Sequence, residues 1–523
     1  MQGRKRFLEK TRLSFKLSER VPPHNFYRKL KDLLDLDFLY GLTAAYYGKC
    51  GQKSIDPVVF FKFMLVAHLE NISSDRKLLE HCSMRLDILY FLGYDLDEPL
   101  PYHSTLSRTR QLLGKEVFEQ LFDKVFALCV EKGMVGGRKQ CIDSAFVKAN
   151  TSLDSLLVKQ EMADHPSIAL QTPYRKSKAD RSRLEQRALE ANQYKLVELN
   201  ARHTNWREKQ KRRPGAIERS RYLSNLTHYS PTDPDAKIAV KVGKPRQLCY
   251  LASLCVDAAK GVITHIQADL ADKKDSRYLQ DIVKQTKARL QTQSLNMHYV
   301  IADTGYSSGE NYAFLERQDL IGYIPVHGLF QMEREGFSYN QGHDCYICPQ
   351  GKLLPLSRIY ADREGYWKKS YRASRKDCKV CPLKQTCLGK SREKKFDITY
   401  YQAHYQRAYF RQLSSKGQYM KKLRQSKVEP VLGTLLNFLG MRKVNTRGQK
   451  GAHKCMLMAA IAFNLKKYIR FTARYTMNIA KAAISPLQPF IFLLNRLCLS
   501  LLSIQDGSEL SGLAALNSKT LNY

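Results

Sequence analysis

The stretch Gln247–Leu270, QLCYLASLCVDAAKGVITHIQADL, carries the reading of the fold. Two apolar runs flank Ala259-Lys260-Gly261, a turn signal, so the pattern predicts a β-hairpin. Downstream the period changes repeatedly: SRYLQDIVKQTKARL reads as a helix, HYVIAD as a strand, GENYAFLERQ as a helix and IGYIPV as a strand. Upstream, after Gly136 and Gly137, RKQCIDSAFVKAN alternates as a strand does, with Ile142 and Asp143 near its centre. Hairpin strands followed by alternating helix and strand predict an α/β core, a mixed sheet with flanking helices.

Around that core the chain divides by composition. Residues 1–132 predict an all-helical domain, since PVVFFKFMLVAHLE and KEVFEQLFDKVFALCVEKGMV repeat apolar residues at helical spacing. Within it, SSDRKLLEHCSMRLDILYFLG and LPYHSTLSRTRQLLG place Ser and Thr cap candidates ahead of short helices, as in helix-turn-helix packing. Arg76, His103, Ser104, Thr105, Arg108 and Arg110 are candidates to face phosphate, with a solvated helical face as the alternative for each. The core begins at 133–330 and is interrupted over about 155–244 by a charged segment containing REKQKRRPG. That segment is either a helical insertion or a partly disordered basic arm. A Cys-rich insertion spans 331–400, helices return over 401–474, and 475–523 reads as a helical tail.

A chain of 523 residues is too long for one ordinary core. Its 86 Lys and Arg against 49 Asp and Glu give a formal net charge of +37, spread along the chain. A polyanion is the natural partner, because each cation on a phosphate releases condensed counter-ions. A ribosome-associated protein or a merely soluble basic protein are the alternatives. The 13 Cys include eight scattered singly, among them Cys82, Cys129, Cys141, Cys255 and Cys498, which fits a reducing compartment such as the cytoplasm. No apolar run follows the basic MQGRKRFLEKTR, so no signal peptide is visible. In PFIFLLNRLCLSLLSI, Pro489, Asn495 and Arg496 favour an amphipathic or partly buried helix over a membrane span.

Asp143 lies in the first strand, and Asp303 closes HYVIAD just before TGYSSGE. Carboxylates at strand ends of an open α/β sheet point into its ligand crevice. Two of them, with a third from a later helix, can hold two divalent ions for in-line displacement at phosphorus, and such donors suit Mg²⁺ or Mn²⁺. Taken singly, an Asp at a strand end is more often a turn former or helix cap, which is the reading for Asp257. Glu429 is the third acid. Val428, Val431, Leu432, Leu435, Leu436 and Leu439 predict a buried helical face beside it, while Arg424, Arg442, Lys443, Arg447, Lys450 and Lys454 flank it as candidate DNA-binding cations. Pro430 disfavours helix at the preceding residue, so Glu429 is expected to begin a helix.

CIDSAFVKANTS, YVIADTGYSSGEN and the block from Arg424 through VEPVLG and GMRKVNTRGQKGAHKCMLMAAIAFNLKK resemble the three acidic-motif blocks of bacterial insertion-sequence DDE transposases. DPVVFFKFMLVAHLENISSDRKLLE and YHSTLSRTR are similar to the helical domain that precedes the catalytic core of that family, and the likeness runs from about Pro57 to Lys467. The resemblance implies an RNase H-like core whose triad is Asp143, Asp303 and Glu429. It also implies metal-dependent cleavage at the element's terminal repeats, then transfer of the freed 3′-hydroxyl into target DNA. A homodimer on double-stranded DNA, in the nucleoid of a bacterial cytoplasm, is the expected setting, with no membrane partner. The family often carries Lys seven residues after the glutamate. Leu436 stands there instead, which leaves Arg424, Lys443 and Arg447 as candidates to grip the terminus. An RNase H-fold nuclease that does not join, or a non-catalytic zinc-containing DNA binder, are the rival readings.

The Cys-rich block is the second motif. Cys345-x2-Cys348 and Cys378-x2-Cys381-x5-Cys387 have the spacing of a zinc-ribbon-like fold, with four of the five thiolates on a structural Zn²⁺ and His343 as a further possible donor. Lys368, Lys369, Arg372, Arg375 and Lys376 suggest that the block also touches DNA.

Overall fold

The structure is a computed structural model that describes residues 15–48, 54–158, 224–225, 228–240, 246–328, 330, 334–362 and 365–484, with side chains as far as 473. The chain falls into two compact units, the first ending at Leu465 and the second starting at Lys466. Of the second, only the helical stretch to Ile484 is described. The expectations for most of the charged segment and for the apolar stretch after Pro489 lie outside the described residues. Among the described residues no helix is long and apolar enough to cross a membrane.

The N-terminal helices are α1 (Leu17–Arg20), α2 (Phe26–Leu33), α3 (Phe38–Thr43), α4 (Pro57–Leu69), α5 (Asp75–Ser83), α6 (Leu86–Leu92), α7 (His103–Leu112) and α8 (Lys115–Glu131). Helix α4 starts where Asp56 accepts from the amides of Val58 and Val59, with Pro57 in the first turn. It is apolar nearly all round and therefore central: Phe60, Phe61, Phe63, Leu65 and Val66 are fully buried. The apolar stripe of α8 meets it, with Phe118 packed edge-on against Phe60 and Phe61. Ser74 does precede α5, but its hydroxyl makes no cap bond. Arg110 is corrected from phosphate candidate to structural residue. It is 6 % exposed and its guanidinium forks onto Asp75 at 2.7 and 3.0 Å, pinning α7 to α5.

The predicted hairpin is present. Strand β5 (Gln247–Asp257) pairs with β6 (Ile263–Leu270), and on its other side with the whole of β1 (Lys139–Lys148), antiparallel from Gln140↔Asp257 to Lys148↔Cys249. The short β4 (Lys237–Ala239) continues the β6 edge, and β7 (Tyr299–Ile301) and β8 (Ile321–Tyr323) extend the sheet in parallel beyond β1. A two-residue pairing, β2 (Leu157–Val158) with β3 (His228–Tyr229), brackets the undescribed part of the charged segment. Helix α9 (Leu279–Thr292) packs on β5 and β6, and α10 (Gly309–Arg317) leads from β7 to β8. Asp257 is the turn former that the sequence indicates: its carboxylate accepts from the amides of Gly136, Gly137 and Ala259. The result is a mixed α/β layer preceded by helices.

The Cys-rich insertion is a five-stranded antiparallel sheet of β9 (Ser338–Asn340), β10 (Cys345–Ile347), β11 (Leu353–Ala361), β12 (Trp367–Arg372) and β13 (Lys395–Thr399). Tyr346, Leu354, Tyr371 and Phe396 form its small core. Short helices α11 (Arg375–Lys379) and α12 (Lys384–Leu388) lie between its last two strands.

After the insertion, α13 (Gln402–Leu413) turns sharply into α14 (Ser415–Phe438), and α15 (Gln449–Ile484) follows. Ser414 caps α14 by accepting from the Gly417 amide at 3.0 Å. Gly417 is required at this corner, because a Cβ there would run into the Arg411 carbonyl. The expectation that Glu429 begins a helix is wrong: α14 runs unbroken through Pro430. Val428, Val431, Leu432 and Leu435 hold the helix down by their burial, each contributing about 1.5–3 kcal/mol. Pro430 and Ser426 are on the exposed side, where water can satisfy the carbonyl that proline leaves without a donor.

Candidate active site

The register of two parallel strands brings the aspartates together. Cys141 of β1 pairs with Ile301 of β7, so Asp143 and Asp303 both stand two residues beyond the last paired position. Neighbouring strands lie about 4.8 Å apart, and residues two apart face the same side, which puts the two carboxylates level at the mouth of the sheet. Where β7 stops, Asp303 becomes the cap of a short 3₁₀ turn, accepting from the Gly305 amide at 3.0 Å. Helix α14 packs against β1, β7 and β8 and carries Glu429 toward the same end.

Glu429 and Asp143 are linked by Arg424. Its Nη1 donates to Asp143 Oδ2 at 2.6 Å, and its Nη2 is 3.6 Å from Glu429 Oε1. Arg424 and Asp143 are largely enclosed, at 11 and 16 % side-chain exposure, whereas Glu429 is 58 % exposed. Burial pushes the Asp143 carboxyl above its usual range and the Asp303 charge adds to this, against the Ser144 amide and Arg424, which favour ionisation. A cavity of about 350 Å³ opens beside the pair, lined by Asp303, Thr304, Arg411, Lys421 and Arg424. Beneath, the Tyr306 ring is fully buried, its hydroxyl pushed far up by burial and by the charges of Asp275, Asp143 and Asp303.

Two hard carboxylates, one of them ionised at a cost, fit a divalent cation, which would relieve that cost. Glu429 is not yet gathered with them. Among the described residues no three His, Cys, Asp or Glu side chains converge closely enough to hold a metal ion.

Two family models match the chain. That of a transposase domain (DUF772) covers residues 15–112, the helical domain, and that of a transposase DDE domain covers residues 347–469. The second match includes most of the Cys-rich insertion, all of α14 and the start of α15, and therefore Glu429 and the cations that follow it. The two matches support an insertion-sequence DDE transposase. No curated protein matches it. A transposase acts on DNA, and the DDE domain implies transposition-type nuclease chemistry.

Of the cations expected from the sequence to face DNA, some are exposed and others are not. Arg442, Lys443 and Arg447 are exposed on the segment after α14, and Lys450 is exposed at the start of α15. The segment after α14 is fastened to the end of β1 by main-chain bonds, Lys148 N to Arg442 O and Val444 N to Lys148 O, farther along the strand that carries Asp143. Arg76 and Arg108 lie on the helical domain, Arg108 exposed and Arg76 donating to His103 at 3.3 Å. Lys454 does not belong with them. It is 8 % exposed and its ammonium donates to the Arg110 and Leu113 carbonyls, so it secures the end of α7 and presents nothing to DNA.

The helical domain of the transposase is tied to the glutamate helix. Asn71 donates to the Asn437 carbonyl and accepts from the Gly440 amide, and His68 Nδ1 donates to the Leu439 carbonyl at 2.9 Å. A carbonyl only accepts, so Nδ1 carries the proton. A carboxylate that the sequence reading did not single out also approaches the site. Asp275, at the head of a 3₁₀ turn before α9, and Asp303 flank Gly305, where an added Cβ would sit 3.1 Å from an oxygen of each. In sequence, DKKDSRYL carries only the signal of an ordinary helix entry.

The five candidate zinc ligands are divided. Cys345 is buried at 3 % exposure in β10, while Cys348, Cys378, Cys381 and Cys387 line one cavity of about 160 Å³. All five are free thiols.

Proposed function

We propose that this transposase cleaves DNA at the ends of its own element and joins the freed 3′ ends to target DNA, using Asp143, Asp303 and Glu429 on an RNase H-like core. The observation that carries the reading is the parallel register of β1 and β7, which sets two aspartates side by side under the helix that bears the glutamate. Asp143 and Asp303 are the residues that would hold a divalent ion, with Glu429 added from α14. Bound there, Mg²⁺ or Mn²⁺ supplies positive charge that polarises the scissile phosphodiester and stabilises its in-line displacement.

The chain's own groups bind and orient the DNA. Arg442, Lys443, Arg447 and Lys450 grip phosphates farther along the duplex from the acids, and the attachment of residues 442–444 to the end of β1 holds that grip in register with Asp143. Arg76 and Arg108 extend the contact from the helical domain, residues 1–132. On this reading residues 133–330 and 401–474 form the catalytic core and 331–400 the insertion. Holding both element ends calls for two copies of the chain.

The same reading gives the insertion a structural Zn²⁺ on four thiolates. The shared cavity favours Cys348, Cys378, Cys381 and Cys387 and leaves out Cys345. Metal analysis of the purified chain checks it: about one zinc per chain is expected, lost in Cys378→Ser and Cys381→Ser and kept in Cys345→Ser.

The deciding test is strand cleavage and joining on a labelled terminal-repeat duplex with Mg²⁺ or Mn²⁺. Nicking and joining that vanish in Asp143→Ala, Asp303→Ala and Glu429→Ala are the expected result. Nicking without joining makes the protein a nuclease, and DNA binding without chemistry removes the catalytic assignment.

A further inference from the structure

We propose that Arg424 is a resident counter-ion that competes with the divalent metal for Asp143 and is drawn off by a DNA phosphate, so that metal loads fully only on DNA. This rests on the assignment of Asp143 and Asp303 to the cation site.

Both oxygens of Asp143 are already engaged. Oδ1 accepts from the Ser144 amide at 2.8 Å, and Oδ2 accepts from Arg424 at 2.6 Å. The Oδ1 bond is to the adjacent main chain of β1 and stays with the strand. Oδ1 keeps a second lone pair for a metal, but bidentate ligation, or ligation through Oδ2, meets the guanidinium that stands there. A divalent ion at ligating distance from the same oxygen would face Arg424 as a like charge within a few ångströms, in a place that is mostly shielded from water. Arg424 also spans to Glu429, so the one cation engages two of the three acids and stands between Glu429 and Asp143.

Two further observations point to displacement of Arg424. The cavity of about 350 Å³ that opens on Asp303 is lined by the arginine itself, which gives its side chain room to swing away from the acids. The ground it would swing over is basic, with Lys421 and Arg411 on the same wall, so a phosphate lodged there would offer the guanidinium a bidentate partner in exchange for Asp143. Arg424 is thus a positioning residue before DNA arrives and a phosphate ligand afterwards.

The experiment is Mn²⁺ binding to the full-length protein, read as free Mn²⁺ by electron paramagnetic resonance, with and without a 30-base-pair duplex. Without DNA, Arg424→Gln is expected to bind Mn²⁺ about fivefold more tightly than wild type. The duplex should tighten wild type toward the variant and leave the variant nearly unchanged. Arg424→Lys, which keeps the charge but cannot span both acids, should fall between them, and its milder change guards against a misfolded Gln variant. Lys422→Gln removes an exposed cation of the same helix that does not line the cavity, and should behave as wild type. Unchanged or weaker Mn²⁺ binding in Arg424→Gln overturns the proposal, as does equal tightening in Lys422→Gln, which would mark a general field effect. Mn²⁺ binding that Asp143→Asn does not weaken overturns the site assignment itself; an Asp143-dependent site that ignores Arg424 overturns only the competition.

Discussion

Asp143 and Asp303 are set by the backbone, whereas Glu429 is set by packing. The aspartates sit two residues beyond a paired position on adjacent parallel strands, so any fold that keeps the Cys141↔Ile301 pairing keeps them level. The glutamate is on the water side of a helix, 58 % exposed, and reaches Asp143 only through Arg424. Two acids are thus preset and one is adjustable. On the proposed assignment, two ligands would be in place before DNA arrives, and the third would be added from α14.

The largest effect that would break the comparison is expected in the acids themselves. Asp143→Ala and Asp303→Ala should each lower the nicking rate roughly a thousandfold and also weaken Mn²⁺ binding, since they remove preset contacts. Glu429→Ala should lower the rate comparably while costing less than about threefold in Mn²⁺ affinity without DNA. Equal losses of Mn²⁺ affinity in all three variants would show that the glutamate is as preset as the aspartates. Next in size is the helix seat. Leu435→Ala should destabilise the protein by about 2–5 kcal/mol in urea denaturation, because it empties the buried face that holds α14 to the sheet.

Smaller effects should come from the tie to the helical domain. Asn71→Ala removes two hydrogen bonds to the end of α14, and is expected to lower nicking about threefold with Mn²⁺ affinity unchanged. The mildest is a pH effect. Burial holds His68 down at about 4, and burial with the Arg289 charge holds His265 down at about 3. Both are neutral in the fold but gain protons in the unfolded chain below its ordinary value near 6.5, so the unfolded state binds more protons as pH falls. The stability they lend is present above that value and is lost on acidification toward the folded values. The melting temperature should therefore drop between pH 7 and 5, and drop less in His68→Gln.

Much of this was legible from residue patterns because local periodicity and pairing agree. The hairpin around Ala259-Lys260-Gly261, β1 with Asp143, and the strand and turn at Asp303 all appear where alternation and turn chemistry put them. Asp257 is likewise the turn former that its context indicated. What sequence could not show depends on tertiary partners. Pro430 looked like a helix start because the cost of a proline is local, while the apolar seat that offsets it is supplied by the sheet. Lys454 and Arg110 looked like surface cations because charge carries no label of burial. Only the fold reveals that one binds carbonyls at the end of α7 and the other pairs with Asp75. Asp275 was missed because an Asp before a helix is common, and its approach to Asp303 needs two loops distant in sequence to meet.

The bonds from His68 and Asn71 to the last turn of α14 also bear on modularity. A domain joined to the rest only by a linker could be exchanged for another. Here the first domain supplies donors and an acceptor to the main chain at Asn437, Leu439 and Gly440, ten or so residues beyond the glutamate. A chimera carrying a foreign N-terminal domain would leave that turn without partners, so exchanging the domain means redesigning a shared joint as well.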